Sequence, residues 1–240
     1  MQKMKLLYEG KAKKVFQTDM TDVLIVSYKD DATAFNGEKK GTIAGKGIVN
    51  NRISNHFFKL LERNGIPTHY IEDLNNRETA VKQVEIVPLE VIVRNVAAGS
   101  FSRKMGVAEG TVLSVPTIEF SYKNDALGDP FINSSYAVAL QLATQQEIKI
   151  MKNYALQINE ILKEEYARVN LQLVDFKIEF GRYHDAIILA DEISPDTCRL
   201  WDMESGERMD KDRFRRDLGG VEEAYQQVAL RLGCEDMEDN

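Results

Sequence analysis

The chain carries only two cysteines in 240 residues, Cys198 and Cys234. They match neither a disulfide framework nor a metal-ligand spacing, so each reads as a reduced, incidental thiol. Also missing is any apolar run long enough to span a bilayer, and Met1-Gln2-Lys3-Met4-Lys5-Leu6 is not followed by a signal-type apolar segment. The expected location is therefore the cytoplasm, with no membrane partner. There is no basic excess: 31 Lys and Arg against 38 Asp and Glu leave a net charge of −7, which argues against general nucleic-acid binding. Small polyanions remain admissible because they need only a local cluster of cations. Lys11, Lys13, Lys14, Arg94, Arg103, Lys104, Lys177 and Arg199 are the candidates for it. No internal repeat, low-complexity stretch or Ser/Gly-rich linker is present, which excludes solenoids and linker arrays. The three histidines, His56, His69 and His184, fall outside the chemistry-bearing motifs and are expected to be structural or solvent-facing.

The length suffices for a substantial core, in one large domain or two closely packed lobes. The first third reads as strands and turns at 5–8, 14–18 and 23–28, followed by a helix from about Val49 to Asn64 with Gly65 as its C-terminal cap. Strand character returns at 80–87 and, after Pro88, at 89–94, and a soft boundary near 84–88 divides a lobe 1–84 from a lobe 85–240. The clearest helix runs from about Gln145 to Ala167, with Thr144 and Glu147 as a capping box and Ile148, Met151, Ala155, Ile158 and Leu162 as its buried stripe. A last helix covers about Val221 to Leu232, before an acidic tail, 235–240, that is expected to fray.

The most informative stretch is Leu173-Val174-Asp175-Phe176-Lys177-Ile178-Glu179-Phe180-Gly181. On a strand, Asp175, Lys177 and Glu179 share one face, roughly 6.5–7 Å apart, with Val174, Phe176, Ile178 and Phe180 on the other. Arg182-Tyr183-His184-Asp185 then leads into Ala186-Ile187-Ile188-Leu189-Ala190, which ends in Asp191-Glu192. Two readings stay open: a half-solvated antiparallel strand, or carboxylates flanking an ammonium, which suit a metal and an anionic substrate. Two other segments bear on the choice. Gly10-Lys11-Ala12-Lys13-Lys14 fits a solvated hairpin turn or a loop laid over phosphates. In Pro88 to Ser100 a strand ends in Arg94 and delivers Gly99 and Ser100, an ordinary capped helix or a phosphate cradle.

Pro88-Leu89-Glu90-Val91-Ile92-Val93-Arg94 with Ala98-Gly99-Ser100, and Leu173 to Gly181, resemble the two signature segments of the SAICAR synthetases. The likeness continues through Tyr8 to Lys13, Lys123-Asn124-Asp125, Asp191 to Asp196 and Arg199-Leu200-Trp201-Asp202. That resemblance implies ATP-driven amide formation between the carboxylate of the ribotide CAIR and the amino group of L-aspartate, giving SAICAR, ADP and phosphate. It implies an α+β, two-lobed fold, with a mainly antiparallel N-terminal lobe like a kinase small lobe, a larger C-terminal lobe and catalysis in the cleft. By resemblance, Glu179 and Asp191 would hold Mg2+. Lys177 would offset charge on the CAIR carboxylate, and Asp175 would accept a hydrogen bond from substrate or act as base. Arg94, Ser100 and Arg199 would take the ribotide phosphate, while Lys11, Ala12, Lys13, Lys82 and Lys123 would contact ATP. A homodimer is implied as well. Asn36 stands where aspartate is expected in some relatives, so any role there is that of a neutral amide. The alternatives are a phosphotransferase that stops at the phosphorylated product, and a nucleotide-binding module without turnover.

One geometric expectation follows for the hairpin. A four-residue loop at 182–185 places Gly181 opposite Ala186 and Phe176 opposite Asp191, which points Asp191 away from Glu179. Both reach one metal only if the pairing slips by one residue or bulges.

Overall fold

The computed structural model describes residues 1–234; the acidic tail 235–240 and the side chain of Asn36 lie outside the described residues. The chain runs β1 (Lys3–Glu9), β2 (Lys13–Thr18), β3 (Val23–Tyr28), β4 (Asp31–Ala34), β5 (Lys39–Thr42), α1 (Lys46–Arg63), β6 (Tyr70–Asn75) and β7 (Glu78–Lys82). It continues with β8 (Glu85–Val96), α2 (Gly99–Met105), β9 (Val112–Tyr122), β10 (Phe131–Ile132), α3 (Ser134–Ala139) and α4 (Gln145–Arg168). Last come β11 (Leu171–Tyr183), β12 (Ala186–Ala190), β13 (Cys198–Asp202), α5 (Asp212–Arg215) and α6 (Val221–Arg231). The result is a mixed α+β fold built on antiparallel sheets. One sheet has the order β1-β2-β3-β7-β6, the other β10-β9-β8-β11-β12 with β13 also on β11, and β4 and β5 form a separate ribbon.

The two long helices form where the apolar spacing places them. The amide of Ile66 donates to the Leu61 carbonyl and that of Gly65 to Glu62, with Gly65 at φ +81°, the Schellman arrangement that ends α1. At the start of α4, the Thr144 amide donates to Glu147 Oε2 at 2.7 Å and the Glu147 amide to Thr144 Oγ1 at 3.1 Å, closing the capping box. Helix α1 starts at Lys46, ahead of the expected Val49, because Gly45 takes a left-handed conformation, φ +75°, just before it. Its buried residues Ile53, Phe57 and Leu61 join Ile148, Met151 and Leu162 of α4 and Phe176, Ile178 and Phe180 of β11 in one large core. Val174 instead joins a smaller cluster with Val96 and Ala98, because the β11–β13 pairing shifts between Leu173 and Asp175.

Two details set the site. Pro88 lies inside β8, where the pairing with β11 shifts between Glu179 and Gly181, so the missing N–H falls at an irregularity of the ladder. The segment 67–69 stitches the first sheet to the second: the Leu189 amide donates to the Pro67 carbonyl at 2.9 Å, and the His69 amide to the Leu189 carbonyl at 2.8 Å. Those bonds bring the N-terminal sheet against the end of β12, beside Asp191.

Candidate active site

The charged face of β11 is not solvated. Asp175 and Glu179 are 3% and 2% exposed, which removes the half-solvated reading, since an ionised side chain is buried only with partners. The partners come from rows of residues that the register lays across the sheet. In the first row Arg94 of β8 and Arg199 of β13 both stand opposite Asp175. Arg94 Nη1 donates to Asp175 Oδ2 at 2.6 Å, and Arg199 Nη1 reaches both Asp175 oxygens at 3.0 and 2.8 Å. Four residues along the strand, Glu90 of β8 stands opposite Glu179. Like charges directly opposite repel, and Lys177 between the rows resolves this by donating to both, at 2.9 Å each.

The Glu179 row also draws in Lys123, and Lys13 and Asp191 lie beside it. Lys123, whose amide donates to the Pro88 carbonyl, gives its ammonium to both Glu179 oxygens at 2.8 and 2.6 Å. Lys13, just past the N-terminal loop, pairs with Asp191 and lies 3.5 Å from Glu192. Burial works against the Lys13 ammonium, yet Asp191 and Glu192 outweigh it and hold its pKa well above the usual lysine value. Burial likewise opposes charge on Asp191, but Lys13, Lys177 and Lys123 keep its carboxyl well below the ordinary range. Glu192, buried behind it, is pushed up chiefly by desolvation.

The hairpin reaches this arrangement by a route different from the one expected. The turn has two residues, His184 and Asp185, so Tyr183 faces Ala186 and Glu179 faces Ala190. That slip is by two, which preserves the faces, and continued alternation would still turn Asp191 away from Glu179. The strand ends at Ala190, however, and Asp191 takes φ +62°. This left-handed residue breaks the alternation and brings its carboxylate within the influence of Lys123 and Lys177, the two cations on Glu179.

The other selected residues divide. Lys11 pairs with Asp125 at 2.9 Å on the rim, and the Ala12 carbonyl accepts from the Lys29 amide. Lys82 donates to the Thr68 carbonyl at 2.8 Å, at the stitch between the sheets. Ser100 is half-buried near the start of α2. Gly99 ahead of it is required twice over: its φ is +55°, and a Cβ there would lie 2.5 Å from Arg199 Nη2. His69 is buried against Phe58 and its pKa falls to about 4, first through burial and then through Lys13, so it is a neutral structural group. Cys198 is buried, which pushes its thiol up to about 12, and Cys234 is buried too; both are free.

Sequence reasoning passed over several participants. Glu119 and Asp212 brace the arginines, Glu192 backs Lys13, and the wholly buried Lys46 holds Asp196 at 2.9 Å, with Tyr225 on the other Asp196 oxygen at 2.6 Å. Glu192 and Asp196 stand within the Asp191 to Asp196 motif; Glu119, Asp212, Lys46 and Tyr225 lie in no motif, and only the fold brings them in. A cavity of about 140 Å3 opens between the two rows, lined by Arg94, Asp175, Lys177, Thr197, Arg199 and Arg215. A larger, mostly apolar one of about 490 Å3 lies beside Glu119 and holds, of the residues singled out from the sequence, Lys104 alone.

A sheet face with guanidinium groups at one end, paired carboxylates and ammonium groups at the other and a lysine between has the charge pattern of an enzyme acting on anionic ligands. Residues 6–232 match the family described as SAICAR synthetase. The chain is 66% identical to the phosphoribosylaminoimidazole-succinocarboxamide synthase of Lachnoclostridium phytofermentans, over 98% of this chain and all of that one. Its fold is similar to the crystal structure of the same enzyme from Ehrlichia chaffeensis, with TM-score 0.95, 47% identity, and coverage of 97% of this chain and 100% of that one. A SAICAR synthetase solved in complex with ADP matches with TM-score 0.93 and 48% identity, covering 96% and 99% of the two chains. The chain belongs to the SAICAR synthetase family, the ligases of purine biosynthesis that join CAIR and L-aspartate to give SAICAR.

Proposed function

We propose that the ligase reaction is driven by ATP bound between the 1–84 and 85–240 regions, with its phosphates over Glu179 and Asp191 and CAIR along β11. The single observation that carries this reading is the order of charges on one strand. Asp175 with its two arginines, Lys177, and Glu179 with its lysines succeed one another at two-residue intervals, so a phosphate, a carboxylate and a polyphosphate meet separate partners. The ADP complex of a close structural relative supports the nucleotide. In this arrangement Lys11, Ala12 and Lys13 cover the phosphates from the first sheet, Lys123 contacts them from the second, and Lys82 borders the adenine. The assembly expected for it is a homodimer.

Glu179 and Asp191 fit Mg2+. They are two carboxylates on one side of the site, and no cluster of three or more Asp, Glu, His or Cys exists among the described residues to form an all-protein cage. That is the donor set of an ion which takes one or two carboxylates and completes its shell with phosphate oxygens and water. Bound there, the ion supplies charge neutralisation for in-line phosphoryl transfer. The protein's own groups do the rest. Lys177 steadies the CAIR carboxylate, one oxygen of which attacks the γ-phosphorus while the bond to ADP breaks. The acyl phosphate so formed has an electrophilic carbon and a good leaving group. The amine of aspartate attacks that carbon, phosphate departs and the amine loses a proton. Arg94, Ser100 and Arg199 take the ribotide phosphate, Asp175 fixes both arginines and accepts from the substrate, and Arg215, its Nη1 on Asp212, lines the cavity wall beside them.

Coupled measurement of ADP release, omitting each substrate in turn, tests the reading: release should require both CAIR and L-aspartate. Glu179→Gln and Asp191→Asn should each lower turnover by about 10²–10³-fold, the scale of losing one electrostatic group in a water-poor site. Near-normal turnover in both variants would overturn the metal assignment.

A further inference from the structure

Arg94 and Arg199 are each held from behind by a carboxylate that no motif contains. Glu119 of β9 is the diagonal neighbour of Arg94, since Arg94 stands opposite Thr117 and Ile92 opposite Glu119. It takes the Nε and Nη2 protons of Arg94 bidentately, at 2.6 and 3.2 Å, while the Phe101 ring lies 5.7 Å from the guanidinium carbon. Asp212, 2% exposed, accepts from Arg199 Nε at 3.0 Å and from Arg215 Nη1 at 2.6 Å. Three of the five N–H donors of Arg94 are thereby engaged, two by Glu119 and one by Asp175. Arg199 has its Nε side tied to Asp212 and its Nη1 to Asp175, with Nη2 packed on the start of α2 at Gly99 and without an acceptor among the described residues.

We propose that Glu119 and Asp212 are positioning residues for the ribotide phosphate, fixing the Nε side of each arginine so that the remaining donors face the ligand as a preformed clamp. The physical reason is entropic and electrostatic together. An arginine side chain has large rotamer freedom, and ordering it at the moment of binding subtracts from affinity. A planar guanidinium already fixed on one edge can offer the other edges in only one orientation. The proposal rests on the reading that Arg94 and Arg199 hold the phosphate, and the test separates the two.

Steady-state constants are measured for Glu119→Gln, Asp212→Asn and Arg94→Gln with CAIR and with the same nucleoside lacking its phosphate, alongside ADP affinity without CAIR. Glu119→Gln, which keeps one acceptor oxygen, should raise KM for CAIR about tenfold or more, the effect of one charge-assisted hydrogen bond, with a much smaller change in kcat. ADP affinity should stay unchanged, and the defect should vanish with the phosphate-free nucleoside, because nothing is left to clamp. Asp212→Asn should behave alike; its buried carboxylate makes misfolding a risk, and Glu119→Gln on the half-buried side decides the matter alone. A Glu119→Gln variant with unchanged KM for CAIR, or one equally defective toward the phosphate-free nucleoside, overturns the proposal. Should Arg94→Gln also leave KM for CAIR unchanged, the phosphate assignment itself fails. If Arg94→Gln raises it and Glu119→Gln does not, only the positioning role falls.

Discussion

The two sheets of this protein are built to opposite standards. The second packs β8 and β11 against α1, α4 and α6 through one continuous core that includes Phe57, Phe176, Phe180 and Leu162. The first has a buried cluster of only Val26, Tyr28 and Val81, and its edge strand β1 is exposed along its whole length. Most of the buried charges of the site stand on the well-packed sheet, while the first contributes Lys13 reaching across. Groups that must hold fixed spacings belong on the element with the greatest burial, because a costly ion pair survives only where the backbone cannot yield. The N-terminal sheet buries less and has less to lose on opening.

Four measurements break or sharpen that comparison, beginning with the largest expected effect. Phe176→Ala in the second sheet should cost about 3–5 kcal/mol of unfolding free energy, and Val15→Ala in the first about 1 kcal/mol, measured by denaturant titration. Equal losses would mean that the two sheets share one core. Lys13→Met should lower kcat/KM for ATP by about 10²-fold, because Asp191 and Glu192 lose their common counter-charge, whereas Lys11→Met, on an exposed pair with Asp125, should change it only a few-fold.

The third concerns acid. The Arg182 guanidinium, helped by the Thr144 cap against some burial, holds the Glu147 carboxyl down at about 2. A depressed folded-state pKa contributes stability that is complete above the ordinary glutamate value and disappears as pH falls towards 2. Glu147→Gln should therefore be less stable than the parent at neutral pH, with the gap closing between about pH 4.5 and 2; a gap constant with pH would remove the linkage. The smallest effect is in hydrogen exchange: amides of β1 should exchange well before those of β8 and β11, and uniform protection would show that the sheets open together.

Much of this was legible beforehand, for reasons that are local. The capping box at Thr144 and Glu147, the glycine stop at Gly65 and the shared face of Asp175, Lys177 and Glu179 each depend on residues a few positions apart. The hairpin was read with too long a turn because nothing in Arg182-Tyr183-His184-Asp185 announces that His184 takes φ +50°. The same kind of backbone departure, at Asp191, breaks the alternation that would have turned its carboxylate away from Glu179. Glu119 and Asp212 could not be selected in advance, since an isolated acidic residue on a strand or short helix looks like any solvated one, and Glu192, though inside the Asp191 to Asp196 motif, has a role only once Lys13 lies beside it.

By itself, then, the amino-acid order determined the periods: which side chains share a strand face, where helices start and stop, and which charges recur at two-residue spacing. Those follow from backbone sterics and from hydrogen bonds within a turn or two. Only the tertiary structure decided which charges meet, because strand register and the stitch at 67–69 are fixed by burial across the whole chain. Arg94 and Arg199 lie 105 positions apart and meet at Asp175 because β8 and β13 flank the same strand.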